Sequence, residues 1–221
     1  AWELNQKGRN NVIIGGNLWL KMGNRNILNA IDLSTLGLDR IEEDEGGFRI
    51  GCMATLRDIE MHEGLNKEFQ NLFKEAVRHI VGVQFRNCAT VGGSIFPKLG
   101  FSDVLTAFLA CDTQVILYKK GEVSLREFIY MPLDNDILTH IYVKKDGRKT
   151  AYESFRMTET DFPTLTCAMA MVDGRFETVL GARPKHAEVV IDEELADSLS
   201  KEDVASYAKR VIDKLQYGSN I

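Results

Sequence analysis

The chain lacks the features that mark several common classes of protein. Its 221 residues include only four cysteines, none in C-x-x-C spacing, so the sequence encodes no local iron–sulfur or zinc site. No apolar run approaches the roughly 20 residues that span a bilayer, and no signal-peptide pattern is present. A formal net charge of −5, without a long basic run, disfavours nucleic acid or an anionic membrane as the main partner.

The scattered cysteines also make a disulfide framework improbable for a chain of this length. Cys52, Cys88, Cys111 and Cys167 are best interpreted as reduced, mostly buried thiols of a cytoplasmic protein. The four histidines show no ligand spacing, and no nucleophile–base pair or pair of catalytic carboxylates suggests hydrolysis. Any redox chemistry therefore needs an organic cofactor or a metal held by a partner.

Two glycine pairs are the most informative feature that is present. Gly15-Gly16 follows the apolar residues 12–14 and precedes Asn17, and Gly92-Gly93 lies between Thr90 and Ser94. A turn without side chains lets backbone N–H groups approach an anion closely. There is no Walker lysine and no complete G-x-G-x-x-G. The two turns therefore predict opposite walls of a cleft around a long diphosphate ligand.

The pattern of elements predicts an α+β protein in two unequal pieces. A strand at 12–14, a short helix to about Met22 and a strand at 27–31 would form a β-helix-β unit, whose helix N-terminus would present amide donors. A hairpin follows over 41–52, and residues 82–100 are predicted to be a functional loop. Further helices are predicted at 55–62, 67–80 and 102–110, and further strands at 113–119 and 137–143.

The charged turn 144–149 is the best candidate for a domain boundary. It separates residues 1–145, with subdomains of about 1–35 and 36–145, from residues 150–221. The second piece is predicted to have strands at 150–156, 165–172 and 176–180 and helices at 192–199 and 201–215. The last helix has an amphipathic stripe typical of core packing, although a partner subunit could also dock there.

The first residue is not Met, and the opening residues resemble the middle of a helix. We therefore expect a piece of a longer protein, or one chain of a split assembly.

Four motifs, taken in order, resemble one known family. They are the strand into Gly15-Gly16, the run RNCATVGGS at 86–94, Ser102-Asp103, and ESFR at 153–156. Along essentially its whole length the chain is similar to the FAD-binding subunit or domain of the molybdenum hydroxylases. That family includes xanthine dehydrogenases, carbon monoxide dehydrogenase medium subunits and nicotinate dehydrogenase flavin subunits. The resemblance implies a PCMH-type FAD-binding fold of two α+β subdomains, followed by a smaller C-terminal domain of sheet and helices.

The resemblance also implies, position by position, which residues contact FAD. Backbone amides of residues 12–19 would hold the pyrophosphate. The Thr90 hydroxyl and the amides of residues 91–94 would bind the phosphate region. Asp103 would accept hydrogen bonds from cofactor hydroxyls, Ile80 would pack on the cofactor, and Leu138 and Arg156 would lie near the isoalloxazine ring. The full set is Val12, Ile13, Ile14, Gly15, Gly16, Asn17, Leu18, Trp19, Ile80, Thr90, Val91, Gly92, Gly93, Ser94, Asp103, Leu138 and Arg156.

Simpler structural roles are open for the same residues. Each glycine pair alone is typical of an ordinary turn, and Asp103 fits the acidic start of a helix. Arg156 could be a strand cation on a solvated face, and Ile80 and Leu138 fit a core with or without a cofactor.

The function that the resemblance implies is electron transfer. An iron–sulfur subunit and a molybdopterin subunit would be the partners, with NAD or another molecule as external acceptor. Arg156 stands where xanthine dehydrogenases carry lysine, which keeps the cation but changes its donor geometry. The run at 157–163 departs from their basic and acidic run, and this difference counts against NAD⁺. Two alternatives are a stand-alone flavin oxidoreductase of the same fold and a scaffold that has lost the cofactor.

Overall fold

A computed structural model describes residues 1–183, 185–192 and 200–215 of the chain. Within these ranges the strands form a two-stranded, a five-stranded and a four-stranded sheet. None of the helices in these ranges combines the length and the apolar composition needed to cross a membrane. The helix predicted at 192–199 falls, apart from its first residue, outside the described residues.

The N-terminal unit contains two parallel strands. Helix α1 (Trp2–Gln6) precedes β1 (Asn11–Ile14), which pairs with β2 (Asn29–Asp32). The short helix predicted to end at about Met22 is a single 3₁₀ turn, Leu20–Met22, and it does not begin directly at the glycine turn. Gly16 and Asn17 have φ values of 64° and 55°, and two successive left-handed residues cannot begin a right-handed helix.

The five-stranded sheet is antiparallel throughout and forms the centre of the molecule. Its strand order is β3-β4-β7-β5-β6. These strands are β3 (Ile41–Glu43), β4 (Gly47–Gly51), β5 (Thr113–Leu117), β6 (Gly121–Ser124) and β7 (Leu138–Lys144). Alternate residues of β5 are buried, as expected for a sheet with one face in the core.

Seven short helices accompany this sheet in the described chain. They are α2 (Leu56–Met61), α3 (Glu63–Glu68), α4 (Leu72–Val77), α5 (Val83–Arg86), α6 (Val91–Ile95), α7 (Asp103–Leu109) and α8 (Leu125–Phe128). Apolar side chains from each of these helices except α5 form one cluster with those of the sheet, in which the Phe73 and Phe108 ring centroids lie 4.6 Å apart. Thr55 caps α2 as predicted, with its side chain accepting from the Asp58 amide.

Two predictions for this region were wrong. The single helix expected at 67–80 is divided at Gln70 and Asn71, whose φ values are 45° and 64°. The buried Asn66 side chain holds this corner, because its amide donates to three carbonyls, including that of Ile59, and accepts from the Lys74 N–H. The expected loop at 82–100 contains α5 and α6.

The C-terminal sheet is a four-stranded antiparallel meander. It consists of β8 (Lys149–Arg156), β9 (Pro163–Val172), β10 (Arg175–Gly181) and β11 (Glu188–Asp192), and helix α9 (Lys201–Leu215) follows. The three predicted strands and the last helix are confirmed. One face meets α7, where Thr106 and Thr166 share a hydrogen bond of 3.0 Å, and α9 packs beside Leu180 and Val190. The division into two domains stays a prediction.

A buried ion pair joins α2 to α5. Arg86 donates from Nε to Glu60 Oε2 at 2.8 Å and from Nη2 to Oε1 at 3.0 Å, and these side chains are only 7% and 9% exposed. Burial raises the pKa of Glu60, but the guanidinium groups of Arg86 and Arg57 outweigh it and lower that pKa below its usual value. The pair anchors the segment that leads to Thr90.

We expect Glu60→Gln to lower the free energy of unfolding by about 3 kcal/mol, because it leaves the buried Arg86 cation without its countercharge. Urea denaturation measures this change. The matched control is Glu75→Gln, which removes an exposed partner of Arg78 and is expected to cost less than about 1 kcal/mol. Equal costs in the two variants would show that the buried pair has no special role.

Candidate functional site

The two glycine turns are in direct contact. A Cβ added at Gly15 would lie 2.5 Å from Thr90 Oγ1, and one added at Gly16 would overlap the carbonyl oxygen of Cys88. Gly16 also has a φ of 64°, which favours glycine. A Cβ at Gly93 would lie 2.9 Å from Thr90 Oγ1. Segments that are distant in sequence therefore meet at backbone distance, and side chains at these positions would separate them.

The first turn presents unused backbone donors. Within the described residues, no chain group accepts a hydrogen bond from the N–H groups of Gly16, Asn17 or Leu18. Gly16 and Asn17 are exposed, so these donors can reach a ligand. Consecutive free amides in a tight turn favour an anion. Val12, Ile13 and Ile14 precede them in β1, where they pair with β2.

The second turn differs from the first, because the amides of 91–94 have hydrogen-bond acceptors inside the chain. The four bonds are Val91 N to Ala54 O at 2.8 Å, Gly92 N to Cys52 O at 2.9 Å, Gly93 N to Thr90 Oγ1 at 3.1 Å and Ser94 N to Thr90 O at 3.1 Å. They begin α6 and tie it to the end of β4. Contact of these residues with the phosphate stays a prediction, and Gly92 is needed for close packing on Cys52.

Thr90 keeps a group that a ligand can use. Its buried hydroxyl accepts from the Gly93 N–H, and no acceptor among the described residues takes its own proton. From Thr90 a chain of bonds leads to α7: Ser94 Oγ donates to Thr90 O, and Ser102 Oγ donates to Ser94 O, each at 2.9 Å. The second turn thus contributes a side-chain donor and a rigid connection.

Asp103 is the first residue of α7, and its carboxylate is buried. Oδ1 accepts from the Tyr152 hydroxyl at 2.6 Å and forms an ion pair with Arg156 Nη2. Burial raises the pKa of the Asp103 carboxyl, and this effect exceeds the opposing ones of Tyr152 and Arg156. The helix cap comes from Ser102, whose Oγ accepts from the Leu105 N–H at 3.1 Å. Side-chain capping of α7 therefore does not require Asp103.

Arg156 is held on the inner side of β8, not on a solvated face. Its side chain is 6% exposed, and Nη1 donates to the Asp161 carbonyl at 2.6 Å while Nη2 pairs with Asp103. Its Nε is buried without a hydrogen-bond partner in the described chain. A buried donor without an acceptor is unfavourable, so this atom indicates a ligand. The charge of Arg156 is also partly balanced by the Asp103 carboxylate.

Three aromatic side chains join the first turn to the loop after Arg156. Trp19 lies 5.4 Å from Phe101 and 6.0 Å from Phe162 between ring centroids, and Phe101 lies 4.8 Å from Phe162. On another side of this loop, Glu159 approaches His79 at 4.0 Å. The loop thus extends from the aromatic cluster toward the end of α4, where Ile80 lies.

The two predicted apolar contacts lie in or beside the core. Ile80 is half-buried, and its carbonyl accepts from Arg86 Nη1 at 3.3 Å. Leu138 is buried in β7, paired with Leu117. In the described residues, no hydrogen bond or ring contact joins Leu138 to Asp103 or Arg156, so its predicted place near the ring stays a prediction.

Sequence reasoning missed four residues of this region: Tyr152, Cys88, Phe101 and Phe162. Tyr152 had a usable signal, because it lies four residues before Arg156 in a strand and shares its face. The Cys88 carbonyl and the two phenylalanines had none, since their roles depend on contacts between segments that are distant in sequence.

Two curated proteins are similar to this chain in sequence. The uncharacterized protein YgfM of Escherichia coli K12 is 28% identical over 144 residues, which cover 65% of this chain and 54% of YgfM. The aldehyde oxidoreductase FAD-binding subunit PaoB, from the same strain, is 36% identical over 69 residues, or 31% of this chain and 21% of PaoB. The chain thus spans about half the length of YgfM and a smaller part of PaoB.

A solved structure has the same fold. The carbon monoxide dehydrogenase of Hydrogenophaga pseudoflava that lacks the Mo-pyranopterin moiety of the molybdenum cofactor matches with a TM-score of 0.79 and 23% identity. The match covers 96% of this chain and 81% of that one, and it confirms the α+β fold expected from the sequence.

The family itself follows from a match over most of the chain. Residues 1–143 match the family model described as the FAD binding domain in molybdopterin dehydrogenase. The chain therefore belongs to the family of FAD-binding domains of molybdopterin dehydrogenases, and FAD is its cofactor.

Proposed function

We propose that this chain is the FAD-binding electron-transfer component of a multi-subunit molybdenum hydroxylase. Its partners would be an iron–sulfur subunit and a molybdopterin subunit. The name of PaoB, an FAD-binding subunit, and the molybdenum cofactor named for the carbon monoxide dehydrogenase support this assignment. Bound FAD supplies the redox chemistry, which is the uptake of single electrons from iron–sulfur clusters and the release of a pair to an external acceptor.

The contact between the two turns is the observation on which the proposal depends. It places the first turn, whose Gly16, Asn17 and Leu18 amides have no acceptor among the described residues, directly against Cys88 and Thr90. These amides and the Thr90 hydroxyl are all donors, as a diphosphate requires. At Asp103 and Arg156 the site instead offers an acceptor oxygen and an unpartnered Nε donor, which fit a ligand that carries hydroxyls and ring heteroatoms. The residues present therefore fit FAD.

The chain would bind and orient the cofactor without acting as an acid or base. The first turn and Thr90 would hold the diphosphate, and Asp103 would accept from cofactor hydroxyls. Arg156 would donate from Nε to the cofactor while Asp103 balances its charge. The Trp19–Phe101–Phe162 cluster would exclude water from the part of the site beside the loop after Arg156.

The loop at 157–163 favours an acceptor other than NAD⁺. Its sequence, MTETDFP, contains two carboxylates and no cation, so it offers no positively charged side chain to the phosphates of a dinucleotide.

The purified protein is expected to show the visible absorption bands of an oxidised flavin. A tagged chain expressed with its neighbouring genes should co-purify with iron–sulfur and molybdenum subunits. A colourless protein that takes up no added FAD would support the scaffold alternative. Turnover of a small substrate by the isolated flavoprotein, without partners, would support the stand-alone oxidoreductase.

Gly16→Ala is expected to abolish most FAD binding, because a Cβ would push the two turns apart at the Cys88 carbonyl. Gly37→Ala is the matched control, since Gly37 has a similar φ of 68° but no atom within 4 Å of an added Cβ. Both substitutions should lower the free energy of unfolding by about 1–2 kcal/mol, because alanine is strained in a left-handed conformation. Only Gly16→Ala should also lose FAD in a fluorescence titration. Equal FAD affinity in both variants would contradict the proposed site.

Thr90→Ala is expected to weaken FAD binding by at least about tenfold, because a charge-assisted hydrogen bond to a phosphate is lost. It also removes an N-cap worth about 1 kcal/mol. Ser200→Ala removes a comparable cap from α9, where Ser200 Oγ accepts from the Asp203 N–H. Thermal unfolding should respond to both changes, whereas FAD affinity should respond to Thr90→Ala alone. A similar loss of FAD affinity in both variants would show that reduced stability, and not a lost contact with FAD, causes it.

A further inference from the structure

Tyr152 and Arg156 approach the same oxygen of Asp103. They lie four residues apart on one face of β8, and both donate to Oδ1 of that carboxylate. No side chain in the described ranges donates to Oδ2. Two donors on a single oxygen fix the plane of the carboxylate and leave the other oxygen for a ligand.

Tyr152 would act on a ligand indirectly. Its side chain is buried, and the Asp103 carboxylate is the hydrogen-bond partner that the structure gives to its hydroxyl. Any effect of this hydroxyl on a ligand is therefore transmitted through Asp103. Because both groups are buried, this hydrogen bond is electrostatically stronger than the same bond in water.

We propose that Tyr152 is a positioning residue, which together with Arg156 holds the Asp103 carboxylate in place to accept a hydroxyl of the bound flavin nucleotide. The inference rests on the proposed function, because it takes FAD as the ligand of this site. It adds a residue that the resemblance did not assign.

The charged and titratable groups around the carboxylate determine how the site responds to pH. Arg156 and Tyr152 face Asp103 from β8, and Cys167 on β9 lies close enough to influence Tyr152. Burial raises the pKa of Cys167 to about 11, so that thiol is neutral. The α7 neighbours Ser102 and Thr106 carry no charge. Asp103 is therefore the group whose charge changes at acid pH.

The sign of the pH effect follows from these groups. An ionised carboxylate accepts from a ligand hydroxyl more strongly than the protonated acid does, so FAD affinity falls as the pH drops through the pKa of Asp103. The Tyr152 hydroxyl lowers that pKa. Removing the hydroxyl raises it, and the loss of FAD affinity then begins at a higher pH.

The experiment measures the FAD dissociation constant of the apoprotein by flavin fluorescence across a range of pH. Tyr152→Phe is expected to raise this constant about fivefold at neutral pH, as for a lost hydrogen bond, and to move the acid limb to higher pH. Tyr207→Phe is the matched control, because its buried hydroxyl bonds to Thr178 at 2.6 Å, beside α9. That variant should keep both the affinity and the pH profile of the unmodified protein.

A double-mutant cycle tests whether the effect passes through Asp103. In an Asp103→Asn background, Tyr152→Phe should cause no further loss of FAD affinity. Equal losses in both backgrounds, or an unchanged affinity and pH profile, would overturn the proposal. A Tyr152→Phe protein that is unfolded where Tyr207→Phe is folded would also overturn it, since the hydroxyl would then serve the fold. If the unmodified protein binds no FAD at all, the proposed function itself fails.

Discussion

The close approach of the Gly15-Gly16 turn to residues 88–90 is the constraint on which the rest of the site depends. At this point two stretches of backbone touch without intervening side chains. The parallel β1–β2 pair fixes the first stretch, and the hydrogen bonds of α6 to residues 52 and 54 fix the second. Because both sides are held by main-chain bonds, the free donors of the first turn keep a fixed place relative to Thr90. Such a cradle is organised before any ligand arrives.

The other end of the site depends on side chains instead. Asp103, Tyr152 and Arg156 come from one helix and one strand, and their pairing removes most of the cost of burying two opposite charges. Of these three side chains, Arg156 has one donor, Nε, without a partner among the residues that the structure describes. The site therefore combines a backbone region suited to phosphate with a charge-balanced region suited to neutral polar groups. A long dinucleotide cofactor with both kinds of group matches this division.

Local patterns predicted the parts of this arrangement that depend on few residues. The glycine pairs follow from their local pattern, as do most strands, whereas the roles of Asp103 and Arg156 were implied by the family resemblance. The bonds from the Val91 and Gly92 amides to Ala54 and Cys52 could not be predicted, because these acceptors lie about 40 residues earlier in the chain and only tertiary structure brings them close. The break between α3 and α4 at Gln70 and Asn71 could not be predicted for a similar reason. Helical periodicity continues through it, and the buried Asn66 that holds it looks like any polar residue in the sequence.

Helix α9 is attached differently from the other helices. Its buried side chains, Tyr207, Val211 and Leu215, belong to a small apolar cluster with Leu180 and Val190 that is separate from the main core. Local opening free energies follow the amount of apolar contact that must be broken. The helix can therefore undock in a sub-global fluctuation that leaves the ligand cradle closed. Its amides would exchange with solvent sooner than those of α7, and a protease could remove it without releasing a bound cofactor.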